Sequence, residues 1–222
     1  MMQTLKAVIF DLDGVITDTA EYHYLAWENL ANELGLPFDR QFNEKLKGVS
    51  RMESLELILS LRDTVYTDEQ KHRLAVKKNE VYKEMIKKIT PADLLPGIEN
   101  LLMELREAGI RTALASASKN APFILDRLEA AHYLDHVVDV NMIASGKPDP
   151  EIFLTGAARL GVEPTQCIGI EDAEAGIQAI LAAGMYAVGV GAPAQMQKAD
   201  LIVSSTAELS LSLLQSNFKK KS

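Results

Sequence analysis

Apolar, β-rich runs recur at residues 5–10, 110–115, 136–140, 166–170, 186–190 and 201–203, and helical patterns separate most of them. In the stretch 97–108, Ile98, Leu101, Leu102 and Leu105 share one helical face. Phe123, Ile124 and Leu128 do the same in 120–130, and 151–160 and 173–183 are likewise periodic. Strands alternating with helices predict a parallel sheet covered on both faces, because each parallel connection must cross over the sheet. The expected fold is a doubly wound, Rossmann-like α/β domain.

One crossover breaks the pattern. About a hundred residues separate the first run from the second, although a parallel connection needs only a dozen or more. Within them Leu25, Trp27, Leu30 and Leu34 mark a helix stopping at Gly35; Met52, Leu55, Ile58 and Leu59 mark another; Leu74, Val81, Met85 and Ile86 mark a long third. With no strand pattern between them, they read as an inserted helical bundle. The expected division is a core of residues 1–16 and 92–222 and a helical cap of 17–91. Two passages of chain join them and allow the cap to open and close, with Pro91 and Pro96 stiffening the second.

In an open α/β sheet, ligands bind beyond the carboxyl ends of the strands, near the point where strand order reverses. The chemistry-bearing residues gather at those ends. Asp11-Leu12-Asp13-Gly14 follows the first run, Ser116-Ala117-Ser118-Lys119-Asn120 the second, Lys147-Pro148-Asp149-Pro150 comes after the third and Glu171-Asp172 ends the fourth. Asp11 and Asp13 can point at one locus, where two carboxylates about 4 Å apart at an effective dielectric near 20 repel by roughly 4 kcal/mol. A cation or a proton must intervene, which marks the pair as a candidate for metal and phosphate chemistry.

Charge narrows the partners. A net charge of -8 over 222 residues argues against a nucleic-acid surface. Residues 17–91 hold 12 Lys plus Arg against 13 Asp plus Glu, so the acidic excess lies almost wholly outside the cap. The cap cations are either a solvated mixed surface or the partners of an anionic substrate. No apolar run approaches the roughly 18 residues that span a bilayer, and the N-terminus lacks the zones of a signal peptide. A cytoplasmic protein with no membrane partner is expected, and a monomer, since nothing demands an obligate oligomer. Cys167 lies in an apolar run and reads as a small buried hydrophobe. Lys219-Lys220-Lys221 reads as a solvated tail.

Together the four strand-end clusters resemble the haloacid dehalogenase superfamily of phosphotransferases, in order and spacing, across essentially the whole chain. The resemblance implies that Asp11 is a nucleophile that becomes an aspartyl-phosphate and that Asp13 is the general acid and base. It implies that Ser116 and Lys147, with Ala117 and Asn120, hold phosphate, and that Asp11, the Asp13 carbonyl and Asp172, with Glu171 in or beside the shell, bind Mg2+. The demands of phosphoryl transfer agree: an in-line nucleophile, positive charge on the equatorial oxygens, and exclusion of water. Hard oxygen ligands suit magnesium. Singly, each residue also has a structural role open to it. Ser116 could cap the following helix, Lys147 could be a loop cation, and Glu171 could pair with an arginine.

Inside the bundle, Thr17-Asp18-Thr19 with His23 and Trp27, then Lys47-Gly48-Val49-Ser50-Arg51, then Lys77-Lys78-Asn79, resemble the β-phosphoglucomutase family. Its enzymes interconvert β-glucose 1-phosphate and glucose 6-phosphate through glucose 1,6-bisphosphate. That resemblance implies that Arg51 holds the phosphate not being transferred, and that Gly48, Val49 and Ser50 line the sugar site, with Lys47 and Trp27 beside them. Ser118, Lys119 and Asn120 would reach the substrate from the core and Lys78 from the cap. His23 would couple substrate binding to the position of Asp13, with Thr19 at the hinge. His23 could instead extend the inner face of its helix, and Lys47 and Lys78 could be solvated charges. Arg51 follows a turn and opens a helix, where backbone N–H groups and a guanidinium can receive an anion together. The expected activity is a mutase acting on small-molecule sugar phosphates, with Mg2+ as cofactor and glucose 1,6-bisphosphate as intermediate and activator. The alternative is a Mg-dependent sugar-phosphate phosphatase, since the sheet motifs serve hydrolysis equally. Against a binding regulator without turnover stands the intact set Asp11, Asp13, Lys147 and Asp172.

Overall fold

Every residue of the first apolar run that pairs is buried, because strands on both sides and helices on both faces enclose it. The structure, a computed structural model, describes residues 4–221, without the side chains of 220 and 221. Six strands, β1 (Ala7–Phe10), β2 (Arg111–Leu114), β3 (His136–Val137), β4 (Cys167–Glu171), β5 (Tyr186–Val190) and β6 (Leu201–Val203), form one parallel sheet in the order β3-β2-β1-β4-β5-β6. Strand order reverses at β1, which lies between β2 and β4. Between β1 and β2 the chain makes α1 (Ala20–Leu34), α2 (Arg40–Asn43), α3 (Arg51–Leu59), α4 (Asp68–Ile86) and α5 (Ile98–Glu107). The remaining helices are α6 (Ala121–Arg127), α7 (Glu151–Leu160), α8 (Glu174–Ala182) and α9 (Leu211–Lys221).

Alternation along β1 divides the core. Val8 and Phe10 join Leu101, Leu105, Ile124 and Leu214 on one face, while Ala7 and Ile9 join Phe153, Ala157, Ile177 and Ile180 on the other. Cys167 sits in the second cluster, and burial pushes its thiol up to about 12, as befits a packed hydrophobe.

Three expectations shift. The strand expected over 136–140 ends at Val137; the Asp139 carboxylate accepts from the Asn141 N–H at 3.0 Å and turns the chain into a helical turn at Val140–Met142. The helix expected over 120–130 ends at Arg127, with Glu129 at φ 53°. Lys219 is exposed but continues α9, and the Lys220 and Lys221 side chains lie outside the described residues.

The cap helices enclose a cluster of their own, with Trp27, Leu30, Leu46, Leu55, Ile58 and Ala75 at its centre. Ser50 and Thr67 each start a helix with a reciprocal capping box. The buried face of α4 is Ala75, Lys78, Asn79, Tyr82 and Ile86; of the expected stripe Leu74, Val81, Met85 and Ile86, only Ile86 lies on it, and the other three are half-buried about a quarter-turn away. Two polar residues thus occupy the inner face, which the apolar pattern excludes.

The two passages between cap and core run side by side. Leu95 N–H donates to the Ile16 carbonyl at 3.0 Å, and Thr17 Oγ1 donates to the Asp93 carbonyl at 2.8 Å. Pro91 opens a helical turn over Pro91–Asp93. Among the described residues no helix is long and apolar enough to cross a membrane.

Candidate active site

The Asp11 N–H donates to the Ile170 carbonyl at 2.9 Å, which ties this carboxylate to the switch point between β1 and β4. Lys147 reaches it from the loop before α7. Its Nζ lies 2.5 Å from Asp11 Oδ1 and 2.7 Å from Glu171 Oε2, and all three side chains are buried. The other oxygen of Glu171 accepts from the Asp172 and Ala173 N–H groups at 3.1 Å each. Burial alone would drive the proton off Lys147, but Asp11 and Glu171 hold it above its ordinary value, so the ammonium persists. Lys147 is therefore no loop cation, and the partner of Glu171 is a lysine.

Two glycines admit these carboxylates. A Cβ at Gly14, whose φ is +74°, would lie 2.3 Å from Asp172 Oδ2, and one at Gly176 would lie 1.9 Å from Glu171 Oε2. Only a residue without a side chain lets the two acids approach.

Asp11, Glu171 and Asp172 present oxygens within 4.8 Å of one another. Burial first, then Glu171, Asp11 and Asp13, pushes Asp172 well above the usual carboxylate range, and burial and Asp11 push Glu171 up. With Asp13 nearby, the acids outnumber the one lysine bonded to them. Hard oxygen donors carrying surplus negative charge fit a divalent cation such as Mg2+. The Asp13 carboxylate stands apart from that cluster. It accepts from the Thr19 hydroxyl, which is also 2.8 Å from the Tyr82 hydroxyl. Removal from water, then the charge on Asp11, pushes Asp13 up to about 7, so it can carry a proton near neutrality.

Beyond β2, the Ser116 hydroxyl accepts from the Ser118 N–H at 3.1 Å and the Ser118 hydroxyl from the Asn120 N–H at 3.2 Å. Ser116 thus shapes its own loop and does not cap α6. Asn120 donates to Asn79 Oδ1 of the cap at 3.0 Å.

Above these residues the cap closes a cleft of about 780 Å³, counted to its open mouth. Asp11, Asp13, Ser116, Ala117, Ser118 and Asp172 form its core side, and His23, Trp27, Lys47, Gly48, Val49, Arg51 and Lys78 its cap side. Lys78 is buried, with its Nζ 2.8 Å from His23 Nδ1 and 4.6 Å from the centre of the Trp27 ring, so it is not a solvated charge. His23 also packs on Tyr82 at 4.0 Å between ring centres. Lys47 pairs with Glu44 at 2.9 Å while lining the cleft.

Thr19, Asn120, Lys147 and Glu171 stand behind the wall, bonded to Asp13, Ser118, Asp11 and Lys147 respectively. Two expected residues lie elsewhere. Lys119 is exposed and outside the cleft wall, and Ser50 is occupied in the capping box of α3, accepting from the Glu53 N–H at 3.4 Å. Ala20, Asn43, Leu46 and Ser54 line the cleft without having been singled out from sequence. Ser54 follows Arg51 by three on α3, and Tyr82 follows Lys78 by four on α4, spacings that place each pair on one helical face. Asn43 and Leu46 carry no such signal.

A family model of haloacid dehalogenase-like hydrolases matches residues 5–184. The chain is 54% identical to a β-phosphoglucomutase of Bacillus subtilis over 218 residues, 97% of this chain and 96% of the relative. It is 35% identical to a fructose-1-phosphate phosphatase of Escherichia coli over 190 residues, 86% of this chain and 98% of the relative. The crystal structure of a β-phosphoglucomutase from Clostridium difficile superposes with a TM-score of 0.96 at 47% identity, covering 98% of this chain and 99% of that one. Strand-end carboxylates, the buried lysine, the serine loop and the helical cap all fall within these matches, and the chain belongs to the haloacid dehalogenase-like hydrolase family.

Proposed function

We infer that this chain interconverts β-D-glucose 1-phosphate and D-glucose 6-phosphate, with residues 1–16 and 92–222 as core, 17–91 as cap, and a cytoplasmic monomer as the working form. The observation that carries this reading is one cleft between cap and core with cations at both ends. Lys147 and Ser116 lie at the core end beside Asp11, and Arg51 and Lys78 lie at the cap end. A phosphatase needs one phosphate seat, whereas a mutase that passes through glucose 1,6-bisphosphate needs two. The identity to named β-phosphoglucomutases supports the same substrate pair.

The reaction starts with a phosphoryl group on Asp11. The C6 hydroxyl of β-glucose 1-phosphate attacks that phosphorus and Asp13 takes the hydroxyl proton. The acyl-phosphate bond breaks, leaving glucose 1,6-bisphosphate and a free Asp11 carboxylate. The bisphosphate turns end over end, exchanging its phosphates between the core seat and Arg51. Asp11 then attacks the C1 phosphorus, and Asp13 returns its proton to the departing C1 oxygen, releasing glucose 6-phosphate. Ser116 donates to the phosphoryl oxygens and Lys147 places positive charge beside Asp11. Mg2+, held by Asp11, Asp172 and the Asp13 carbonyl with Glu171 alongside, would neutralise charge on those oxygens. Closure of the cap keeps water from the aspartyl-phosphate.

The test supplies β-glucose 1-phosphate, Mg2+ and a trace of glucose 1,6-bisphosphate, and measures glucose 6-phosphate against inorganic phosphate. Glucose 6-phosphate as the main product is expected. Inorganic phosphate as the main product would replace this reading with that of a sugar-phosphate phosphatase.

A further inference from the structure

Cap and core also meet through a pair of buried amides that the mechanism leaves unused. Asn79 Oδ1, on α4, accepts from Asn120 Nδ2, in the core loop 116–120, at 3.0 Å, and the two residues are 8% and 9% exposed. One turn further along α4 the buried Tyr82 hydroxyl lies 2.8 Å from the Thr19 hydroxyl, which in turn bonds Asp13. Within the loop, Asn120 is bonded to Ser118 and Ser118 to Ser116. From Asn79 on α4 a continuous hydrogen-bonded chain runs through Asn120 and Ser118 to Ser116.

The Asn120 amide has two N–H donors. Asn79 accepts from one of them, which fixes the plane of the amide just behind the cleft wall formed by Ser116, Ala117 and Ser118. Because Asn79 belongs to the cap and Asn120 to the core, lifting α4 off the loop breaks the bond. Water then replaces Asn79 without fixing the amide plane, so the oriented state of Asn120 exists only while α4 covers it.

We propose that Asn79 is a positioning residue that makes the phosphate-receiving shape of the 116–120 loop conditional on cap closure. This rests on reading that loop as a phosphate holder in a mutase cleft. Asn79 touches no reacting atom and acts through Asn120. With the cap open the loop is unset, so a lone phosphate and water do not meet a finished site.

Asn79→Ala, Asn79→Asp, Asn120→Ala and the double variant Asn79→Ala/Asn120→Ala are assayed beside the wild type for KM, kcat and the ratio of glucose 6-phosphate to inorganic phosphate, with thermal melts. Asn79→Ala should raise KM about tenfold and enlarge the phosphate share, the loss expected of one buried hydrogen bond. Asn79→Asp keeps an acceptor toward Asn120 Nδ2 and should recover most of the KM. The double variant should be no worse than Asn120→Ala. Wild-type behaviour of Asn79→Ala, equal impairment of the Ala and Asp variants, or losses that multiply in the double variant would each overturn the proposal. Should Asn79→Ala melt far below the wild type, Asn79→Asp combined with Asn120→Asp carries the test. Two facing carboxylates repel, and KM should exceed the product of the single effects; a simple product overturns the proposal. A wild type that yields phosphate and no glucose 6-phosphate instead defeats the mutase reading itself.

Discussion

Lys78 Nζ lies 2.8 Å from His23 Nδ1, joining two helices of the cap inside the cleft. Burial, then the charges on Lys78 and Arg51, holds the His23 imidazole well below its usual range, so it is neutral and offers Nδ1 as acceptor to the ammonium. Burial and Arg51 in turn bring Lys78 down to about 7, with Asp13 opposing them. An anionic substrate arriving near these cations should restore the proton.

Stability should therefore carry a signature of Lys78. Its folded pKa is about 7 against 10.5 for the free side chain. Between those values the unfolded chain binds the extra proton, so stability rises with pH across that window. Below pH 7 the buried ammonium costs a few kcal/mol. Lys78→Met should melt above the wild type at pH 6 and lose that advantage by pH 10, while its turnover falls about a hundredfold. A melting difference independent of pH would show that the ammonium is already solvated in the folded protein.

The proposed division of labour between Asp11 and Asp13 predicts different failures. Asp11→Asn removes the nucleophile and should leave no covalent phosphoenzyme; stoichiometric radiolabelling of that variant would require another nucleophile. Asp13→Ala keeps the nucleophile but loses the proton carrier, so transfer to sugar should slow by roughly 10²- to 10⁴-fold while Asp11 still takes up phosphate. Unchanged turnover in Asp13→Ala would remove Asp13 from acid–base chemistry.

Much of this was legible in the chain. The six strands follow from apolar runs, and the strand-end clusters place Asp11, Ser116, Lys147 and Asp172 together because parallel strands present all their carboxyl ends on one side. The inner face of α4 was not legible. Lys78 and Asn79 occupy it where periodicity favours Leu74 and Val81, since a helix lining a polar cleft buries polar side chains against ligand and partner. Ser50 shows the converse limit: in sequence its hydroxyl serves equally for a sugar or a helix cap, and only its bond to the Glu53 N–H decides. Asn43 reaches the cleft from a four-residue helix too short to carry a periodic signal.

Gly14 offers a clean probe of the carboxylate cluster. A Cβ there would come within 2.3 Å of Asp172 Oδ2 at φ +74°, whereas one at Gly109, at φ +67°, meets nothing within 4 Å. Gly14→Ala and Gly109→Ala share the left-handed backbone strain, roughly 1–2 kcal/mol, and differ in the clash. After removal of metal by EDTA, turnover should be lost in wild type and return on adding Mg2+. Gly14→Ala should need at least tenfold more Mg2+ than Gly109→Ala. Equal Mg2+ requirements in the two variants would place the cation away from Asp172.

On the proposed mechanism, Arg51 should decide between sugar and water as acceptor. It opens α3 and lines the cap side of the cleft, where a guanidinium and N-terminal N–H groups can receive one anion together. When one phosphate is on Asp11, the other must be held for the bisphosphate to stay, turn and react again. Arg51→Ala should release the bisphosphate before it turns, raise KM for β-glucose 1-phosphate at least tenfold, and shift product toward inorganic phosphate. Arg51→Lys keeps the charge but loses the bidentate fork, so it should recover only part of the loss. The Asp11 phosphoenzyme should form at wild-type level in both, because the core seat is intact. Progress curves that follow glucose 6-phosphate and phosphate together read all three effects. An unaltered product ratio in Arg51→Ala would mean that the second phosphate is held elsewhere.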